Sequence, residues 1–367
     1  MSGADADRRA ALQALAMLPL GVALGGCGGG SDGAPQPPLV TRSWQLGFSP
    51  TPPVPTAAAV VQGIDLWSQR AELVIIHEEL PWTDLLAGMS ASAILDRDKV
   101  ALVNYLRGKG LAFAFMADLT DGLAREQEAP QLRALGRSIA EPAVQQVYRD
   151  YVLAVNNKLN PRYLGLAAET NLIRTAASPA VYAAVVQAAN DAAAALTAAG
   201  STATLFSSVQ VETAWGGLGV GGSFVGIKQD LLDFAFSQLL GFSSYPYFKY
   251  AQPEDIPADY YSRLATGQPR PVMVVEGGWT SASVGAIASS PEAQARYITR
   301  LAQLLDGVSA RGLLQLEFAD IDISTVPPPV PVNLPLFTQI GLTHSDFSAK
   351  PALAAWDQLF KRALRAP

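Results

Sequence analysis

Eight apolar runs of strand-like length recur along this chain, and segments with helical periodicity separate them. The runs begin at Trp44, Glu72, Leu111, Tyr163, Ala203, Leu239, Pro271 and Gly312. Alternation of this kind is typical of parallel strands joined by crossover helices, and eight repeats favour a closed sheet over an open one. No glycine-rich dinucleotide fingerprint follows the first run, which argues against a Rossmann domain. The pattern therefore predicts an α/β fold, a single (β/α)8 TIM barrel.

Composition limits the class of protein and the partners it can bind. Of 367 residues, 49% are hydrophobic and 16% are charged, which is typical of a globular chain with a large core. The net charge of −6 provides no basic surface for a phosphate backbone, so we expect no nucleic-acid partner. We also expect a monomer.

The N-terminus has the pattern of an export signal. Arg8 and Arg9 precede an apolar stretch, and Leu24-Gly25-Gly26-Cys27 resembles a bacterial lipobox, in which the cysteine is lipidated. We therefore expect a lipoprotein signal peptide over residues 1–26, a Gly/Pro-rich tether over 27–42 and a folded domain over 43–367. This places the protein outside the cytoplasm, with a lipid anchor at Cys27 holding it to a bacterial envelope membrane, periplasmic or cell-surface. An ordinary signal peptide with a chance cysteine, or a twin-arginine signal, are the alternatives.

Two of the apolar runs end in a single carboxylate. LGLAAETNL reaches Glu169 and PVMVVEGGWTS reaches Glu276, which we place at the ends of strands four and seven. Two carboxylates that face each other across a cleft can catalyse hydrolysis as an acid/base pair. The chain has two histidines and no G-x-S-x-G motif, so a multi-histidine metal site and a serine triad are both disfavoured, and no cofactor is expected.

Four segments resemble the clan A retaining glycoside hydrolases, especially the arabinogalactan endo-beta-1,4-galactanase type. They are LGLAAETN, VVEGGWTS, LLGFSSYPYF (Leu239 to Phe248) and GLTHSDFSAKPALAAW (Gly341 to Trp356). The resemblance implies a carbohydrate substrate, a poly- or oligosaccharide, cleaved by double displacement. It implies that Glu169 is the general acid/base, that Glu276 is the nucleophile, and that Tyr245 hydrogen-bonds the nucleophile.

One position departs from that family. The family has Asn directly before the acid/base, where its amide would bind the sugar 2-hydroxyl, and this chain has Ala168. Asn171 is a possible substitute. The departure favours a second hypothesis, a glycosidase-like barrel that binds glycan without cleaving it or serves in envelope assembly.

Further side chains at the predicted strand ends are candidate substrate ligands. They are His77, Glu78, Trp82, Asp118, Trp215, Tyr245, Trp279 and Glu317, with Glu212 as a fourth rim carboxylate. Aromatic rings can stack on sugar faces, and carboxylates can bind hydroxyls. Each also has a structural alternative: a packed core ring, a loop cap or an ion pair. The proline-rich segment STVPPPVPVNLP, from Ser324 to Pro335, follows the last strand and is expected at the rim of the cleft.

Overall fold

A closed barrel of eight parallel strands forms the centre of the protein, and the prediction of a (β/α)8 fold is confirmed. The computed structural model describes residues 41–365. Each strand pairs with its neighbours in chain order, and β1 pairs with β8 to close the barrel. The strands are β1 (Gln45–Phe48), β2 (Leu73–Glu79), β3 (Ala112–Asp118), β4 (Tyr163–Gly165), β5 (Thr204–Gln210), β6 (Leu239–Ser244), β7 (Val272–Gly277) and β8 (Ala310–Gln315).

Helices surround the barrel and connect its strands. The α-helices of the described chain are Ala57–Trp67, Trp82–Leu86, Ala91–Asp98, Val100–Gly108, Pro130–Ala134, Pro142–Leu159, Thr170–Ala176, Pro179–Ala198, Val211–Ala214, Lys228–Asp233, Ser262–Ala265, Pro291–Asp306 and Pro351–Phe360. Short 3-10 helices span Ser68–Arg70, Pro246–Phe248, Pro253–Asp255, Ile323–Thr325 and Leu334–Leu336. Ser178 and Ser290 cap two of the long helices, each accepting a hydrogen bond from a backbone N–H three residues later.

The inside of the barrel is filled by side chains and leaves no channel through its centre. A buried cluster of inward-facing residues includes Leu73, Ile75, Ala114, Met116, Phe206, Met273, Val275 and Leu314. A second, larger cluster fills the layer between the strands and the surrounding helices. Because the interior is packed, a ligand has room only at the ends of the barrel, and catalytic groups of this fold lie at the carboxyl end.

Arg42, next to the expected boundary at residue 43, packs against the barrel. Arg42 is only 3% exposed, donates to the carbonyl of Trp44, and forms an ion pair with Glu72 at the start of β2. Its backbone also bridges to Leu364 near the C-terminal end. The expected signal peptide, Cys27 and nearly all of the tether lie outside the described residues. Within 41–365, no helix has the length and apolarity needed to cross a bilayer.

We predict that Gly47→Ala prevents normal pairing of the first strand. A Cβ at Gly47 would lie 2.0 Å from the backbone oxygen of Leu73, its partner on β2. Separating the two strands would lower the free energy of unfolding by about 3 kcal/mol, measured by chemical denaturation. Gly108→Ala is the matched control: its Cβ meets nothing within 4 Å, so it should be neutral or slightly stabilising. Equal effects of the two changes would contradict this account of barrel closure.

Candidate active site

A cleft of about 1180 Å³ lies at the carboxyl end of the barrel. Its lining includes both carboxylates singled out in the sequence, Glu169 and Glu276. The charged groups His77, Asp118 and Arg125 also line it. The site is therefore built by strand ends and the loops that follow them, as expected for this fold.

Glu276 lies within β7 and is held by Tyr245, which follows β6, and by His77 of β2. The hydroxyl of Tyr245 donates to its Oε1 at 2.7 Å, and Nδ1 of His77 lies 3.2 Å from its Oε2. Burial alone would raise the pKa of Glu276, but His77, Arg125 and the Tyr245 hydroxyl outweigh it and lower that pKa. Glu276 is therefore held as a carboxylate.

Glu169 lies farther from its strand than the sequence indicated. Strand β4 ends at Gly165, so the prediction that Glu169 ends this strand is wrong by four positions. Glu169 instead precedes the helix Thr170–Ala176, with a left-handed backbone (φ 47°, ψ 45°) that is uncommon for a residue with a side chain. Its N–H donates to Oγ of Ser208 at 2.9 Å, which helps to hold this strained conformation.

The carboxyl group of Glu169 is buried and has two donors. Nε of Arg125 donates to Oε2 and Oγ of Ser243 donates to Oε1, each at 2.7 Å. Burial and the charge of Glu276 raise the pKa of Glu169, although Arg125 and Ser243 oppose this. Ser243 of β6 is also paired in register with Glu276 of β7. Both glutamates are therefore next to the same residue, Ser243.

His77, Asp118 and Arg125 connect the two glutamates through a continuous chain of contacts. Nε2 of His77 lies 2.7 Å from Oδ2 of Asp118, and Nη1 of Arg125 donates to the same oxygen at 2.6 Å. Burial disfavours a charged His77, but the hydrogen bonds to Asp118 and Glu276 raise its pKa to about 10. His77 is thus an imidazolium with both ring nitrogens engaged.

The signs of the charges alternate along this chain, which we call the charge relay: Glu276, His77, Asp118, Arg125, Glu169. With Glu169 ionised, the relay carries three negative and two positive charges. Protonation of Glu169 makes the relay as a whole neutral, which agrees with the raised pKa of Glu169 and the lowered pKa of Glu276. Sequence reasoning did not identify Arg125 or Ser243. Ser243 lies inside the segment LLGFSSYPYF, whereas nothing marked Arg125 except its position in the loop after Asp118.

Three tryptophans expected to stack on sugar are packed in the core instead. Trp82 is 0%, Trp215 is 7% and Trp279 is 1% exposed. Trp215 stacks on Tyr260 and donates to its carbonyl, and the Trp279 indole donates to Ser289. None of the three lines the cleft, where the aromatic rings are those of Tyr245, Phe248 and Phe337. The prediction of tryptophan platforms is wrong because the three indoles pack into the apolar layer between the strands and the helices.

Asn171 does not replace the missing amide at position 168. Its Nδ2 donates to the carbonyl of Gln210 and its Oδ1 accepts the N–H of the same residue, so both ends of the amide are used. Ala168 itself packs with the residues that fill the barrel interior. The expectation that Asn171 faces the substrate is therefore wrong.

The remaining candidates divide between the cleft and the core. His77 and Asp118 line the cleft, but both ring nitrogens of His77 are used by carboxylates, and Asp118 is bound by His77, Arg125 and the N–H of Thr120. These contacts leave them to position other groups rather than to bind sugar. Glu78 lines the cleft and pairs with Lys99 at 2.8 Å. Glu317 also lines it. Glu212 is buried outside the lining, bound by Gln210, Ser244 and Tyr260.

The proline-rich segment does reach the rim, as expected. Pro327, Pro329 and Pro331 line the cleft, and Nδ2 of Asn333 donates to the carbonyl of Leu123 at 2.7 Å. Leu123 belongs to the loop after β3 that also carries Arg125. The segment therefore connects the loops of β8 and β3 across one side of the mouth.

Within residues 41–365, no group of three or more His, Cys, Asp or Glu side chains is arranged to hold a metal ion.

Comparison with solved structures identifies similar barrels. The exo-beta-1,4-mannosidase from Opitutaceae bacterium strain TAV5 superimposes with a TM-score of 0.67 at 16% identity, over 89% of this chain and 61% of that one. The GH5_18 protein from Streptomyces cattleya superimposes with a TM-score of 0.59 at 16% identity, over 89% of this chain and 83% of that one. Beta-glucuronidase 2 from Bacteroides uniformis superimposes with a TM-score of 0.56 at 14% identity, over 88% of this chain and 36% of that one. The chain thus spans less than two thirds of the mannosidase and the glucuronidase, and at these identities the likeness establishes the fold. No protein-family model and no curated protein sequence matches the chain.

We predict that His77 keeps protons on both ring nitrogens through the neutral range, because its contacts with Asp118 and Glu276 raise its pKa to about 10 against the effect of burial. Since this pKa lies above the ordinary 6.5, the pairing stabilises the fold fully below that pH and progressively less toward pH 10. NMR of the imidazole nitrogens at about pH 8 checks the charge. The His344→Gln variant assigns the signals, because the chain has two histidines. A neutral His77 at that pH would contradict the charge relay.

Proposed function

We propose that this protein is a retaining beta-glycoside hydrolase, with Glu276 as nucleophile and Glu169 as general acid/base. The observation that carries the proposal is the difference between the pKa values of two carboxyl groups in one cleft: that of Glu276 is lowered and that of Glu169 is raised. Contacts with His77 and Tyr245 favour an ionised Glu276, whereas burial and the charge of Glu276 favour a protonated Glu169. Two carboxyl groups with pKa values driven apart are the requirement of double displacement.

The reaction follows from these positions. In the first step Glu276 attacks the anomeric carbon, the bond to the leaving oxygen breaks, and Glu169 gives that oxygen its proton. The negative charge that Glu169 gains lies against the guanidinium of Arg125, 2.7 Å away, which stabilises it. In the second step Glu169 takes a proton from water, whose oxygen attacks the anomeric carbon and releases Glu276.

The charges of the cleft favour a neutral sugar. The basic side chains of its lining are His77, Lys99 and Arg125, and each is paired with at least one carboxylate. A uronic acid would therefore find no free cation, and it would meet an excess of carboxyl groups. We accordingly propose a neutral beta-linked hexoside as substrate. The resemblance to galactanases remains a prediction, since these contacts do not distinguish galactose from its epimers.

We further propose that a lipid on Cys27 tethers the barrel to a membrane. The proposal rests on the sequence around Leu24 to Cys27. Arg42 lies just before β1, at the amino end of the barrel, whereas the cleft is at the carboxyl end. A tether that leaves at residue 42 directs the cleft away from the membrane.

Ala168 favours a second candidate function, glycan binding without cleavage. The family's asparagine is missing at that position, and Asn171 does not compensate for it. Binding without release of sugar would support this alternative, so hydrolysis and binding must be measured on the same ligands.

The first catalytic prediction concerns the two glutamates. We expect the wild-type domain to hydrolyse activated aryl beta-glycosides and Glu276→Gln to reduce kcat at least about 10⁴-fold, because the nucleophile is lost. Glu169→Ala should keep the first step on substrates whose leaving group needs no protonation, but the second step, which needs the base, should become slow. Added azide should then restore the rate and give a beta-glycosyl azide.

Glu254→Gln, an exposed carboxylate remote from the cleft, is the matched control and should leave kcat unchanged. Full activity of Glu276→Gln, or an inverted azide product from Glu169→Ala, would contradict the proposed roles.

The second catalytic prediction concerns Arg125. Its charge lowers the pKa of both Glu169 and Glu276. Arg125→Met should therefore move both limbs of the pH profile of kcat/KM to higher pH, by about one unit or more. Arg125→Lys keeps the charge and should keep both limbs nearer their original positions.

Arg133→Met, which removes an exposed arginine outside the cleft, should leave the profile unchanged. Because loss of Arg125 leaves buried carboxyl groups without a partner, it should also destabilise the fold by about 3 to 5 kcal/mol, measured by thermal unfolding. Unshifted limbs in a folded Arg125→Met protein would contradict the charge relay.

A further inference from the structure

Glu317 is a third carboxyl group in the cleft, and the proposed reaction does not use it. It follows β8 by two residues, is 2% exposed, and belongs to the lining of the cleft. The N–H of Leu316 donates to the carbonyl of Gly277 at 2.9 Å, which fixes this segment against the residue after Glu276. Glu317 is therefore placed beside the strand of the proposed nucleophile.

Within the described chain, Glu317 has no hydrogen-bond partner for its buried oxygen Oε2. Lys350 is the basic group whose charge acts on it. The ammonium of Lys350 already donates to Oδ1 of Asp320 at 2.5 Å, to Oγ of Ser281 at 2.8 Å and to the carbonyl of Gly341 at 2.9 Å. Because an ammonium has three N–H donors, none is left for Glu317.

This environment favours an uncharged acid. Burial raises the pKa of Glu317 well above its ordinary value, Asp320 raises it further, and Lys350 does not compensate. Tyr247, which follows β6, also lies within electrostatic range of Glu317 and provides no positive charge. A buried polar group without a partner destabilises a fold, so its presence in a cleft calls for a ligand that completes it.

We propose that Glu317 is a specificity-determining residue that binds a hydroxyl group of the sugar. A carboxylic acid offers one donor and an acceptor, and a sugar hydroxyl offers the same pair, so the two can form complementary hydrogen bonds. This inference rests on the proposed glycosidase function and adds a requirement to it. Substrates that lack the hydroxyl at the contacted position leave Glu317 unpaired and are disfavoured.

Kinetics on 4-nitrophenyl beta-D-mannoside, beta-D-glucoside and beta-D-galactoside test the proposal. Glu317→Leu should lower kcat/KM about 10- to 100-fold on the preferred sugar, and should reduce the preference among the three. Glu317→Gln, which keeps a donor and an acceptor without charge, should stay within about threefold of wild type. Glu254→Gln and Glu254→Leu are the controls for the kinetics, because Glu254 is an exposed carboxylate outside the lining of the cleft, and both should leave the kinetics unchanged. Glu126, an exposed carboxylate of the loop after β3, is the control for the unfolding measurement.

Thermal unfolding between about pH 5 and 8 tests the charge without a substrate. A carboxyl whose folded pKa lies above its unfolded value destabilises the fold increasingly as pH rises, because the unfolded chain releases its proton first. Glu317→Gln should therefore become more stable than wild type as pH increases, while Glu126→Gln should follow wild type. A pH-independent difference for Glu317→Gln would overturn the uncharged state.

Different results would contradict the role of Glu317 and the glycosidase function on which it rests. If wild type hydrolyses the glycosides and Glu317→Leu equals it in rate and preference, the role of Glu317 is wrong and the glycosidase proposal stands. If Glu317→Gln loses as much activity as Glu317→Leu, an ionised Glu317 is favoured and the proposed pairing of an uncharged acid with the hydroxyl is wrong. If wild type hydrolyses none of them, the glycosidase proposal is overturned. Calorimetric binding of the same glycosides to wild type and Glu317→Leu then decides the role of Glu317, equal affinities counting against it.

Discussion

The charge relay from Glu276 through His77, Asp118 and Arg125 to Glu169 is the constraint on which the rest of the site depends. Its five groups come from β2, β3, β7 and the loops after β3 and β4, and all are at least largely buried. Removing any one leaves a neighbour without its counter-charge in a poorly solvated place, which is costly. The relay therefore couples the positions of several strand ends, and barrel closure is what brings those ends together.

The strained backbone at Glu169 follows from the same constraint. Glu169, the proposed acid/base, lies four residues beyond β4, so its position depends on contacts rather than on the register of the sheet. Ser208 holds its N–H, while Arg125 and Ser243 hold its carboxyl oxygens. A residue keeps a left-handed backbone when several contacts hold it in place. Here the same contacts also fix the direction of the carboxyl group that is the proposed proton donor.

The fold was predictable from the sequence because each strand is a local apolar run and the long helices have their own periodicity, several of them with a side-chain cap. Glu276, which lies inside a strand, was placed correctly for the same reason. Several residues that follow the strands were not placed correctly. The indoles of Trp82, Trp215 and Trp279 fold into the helical layer, and Arg125 comes from a loop that shows no local pattern. Which way such side chains turn depends on long-range packing, and apolar content alone does not distinguish a stacked ring in a cleft from one in a core.

The net charge of the relay stays at zero through the first step of the proposed double displacement. Before the reaction, with Glu169 protonated, the negative charges of Glu276 and Asp118 balance those of His77 and Arg125. In the glycosyl-enzyme intermediate Glu276 is an uncharged ester, and Glu169, having given up its proton, carries the second negative charge. The relay is neutral in both states, so the reaction moves charge between its ends without burying a net charge. A neutral sugar preserves that balance and a uronate would break it. In the proposed reaction the new negative charge appears on Glu169, and Arg125, which already pairs with that carboxyl group, stabilises it there.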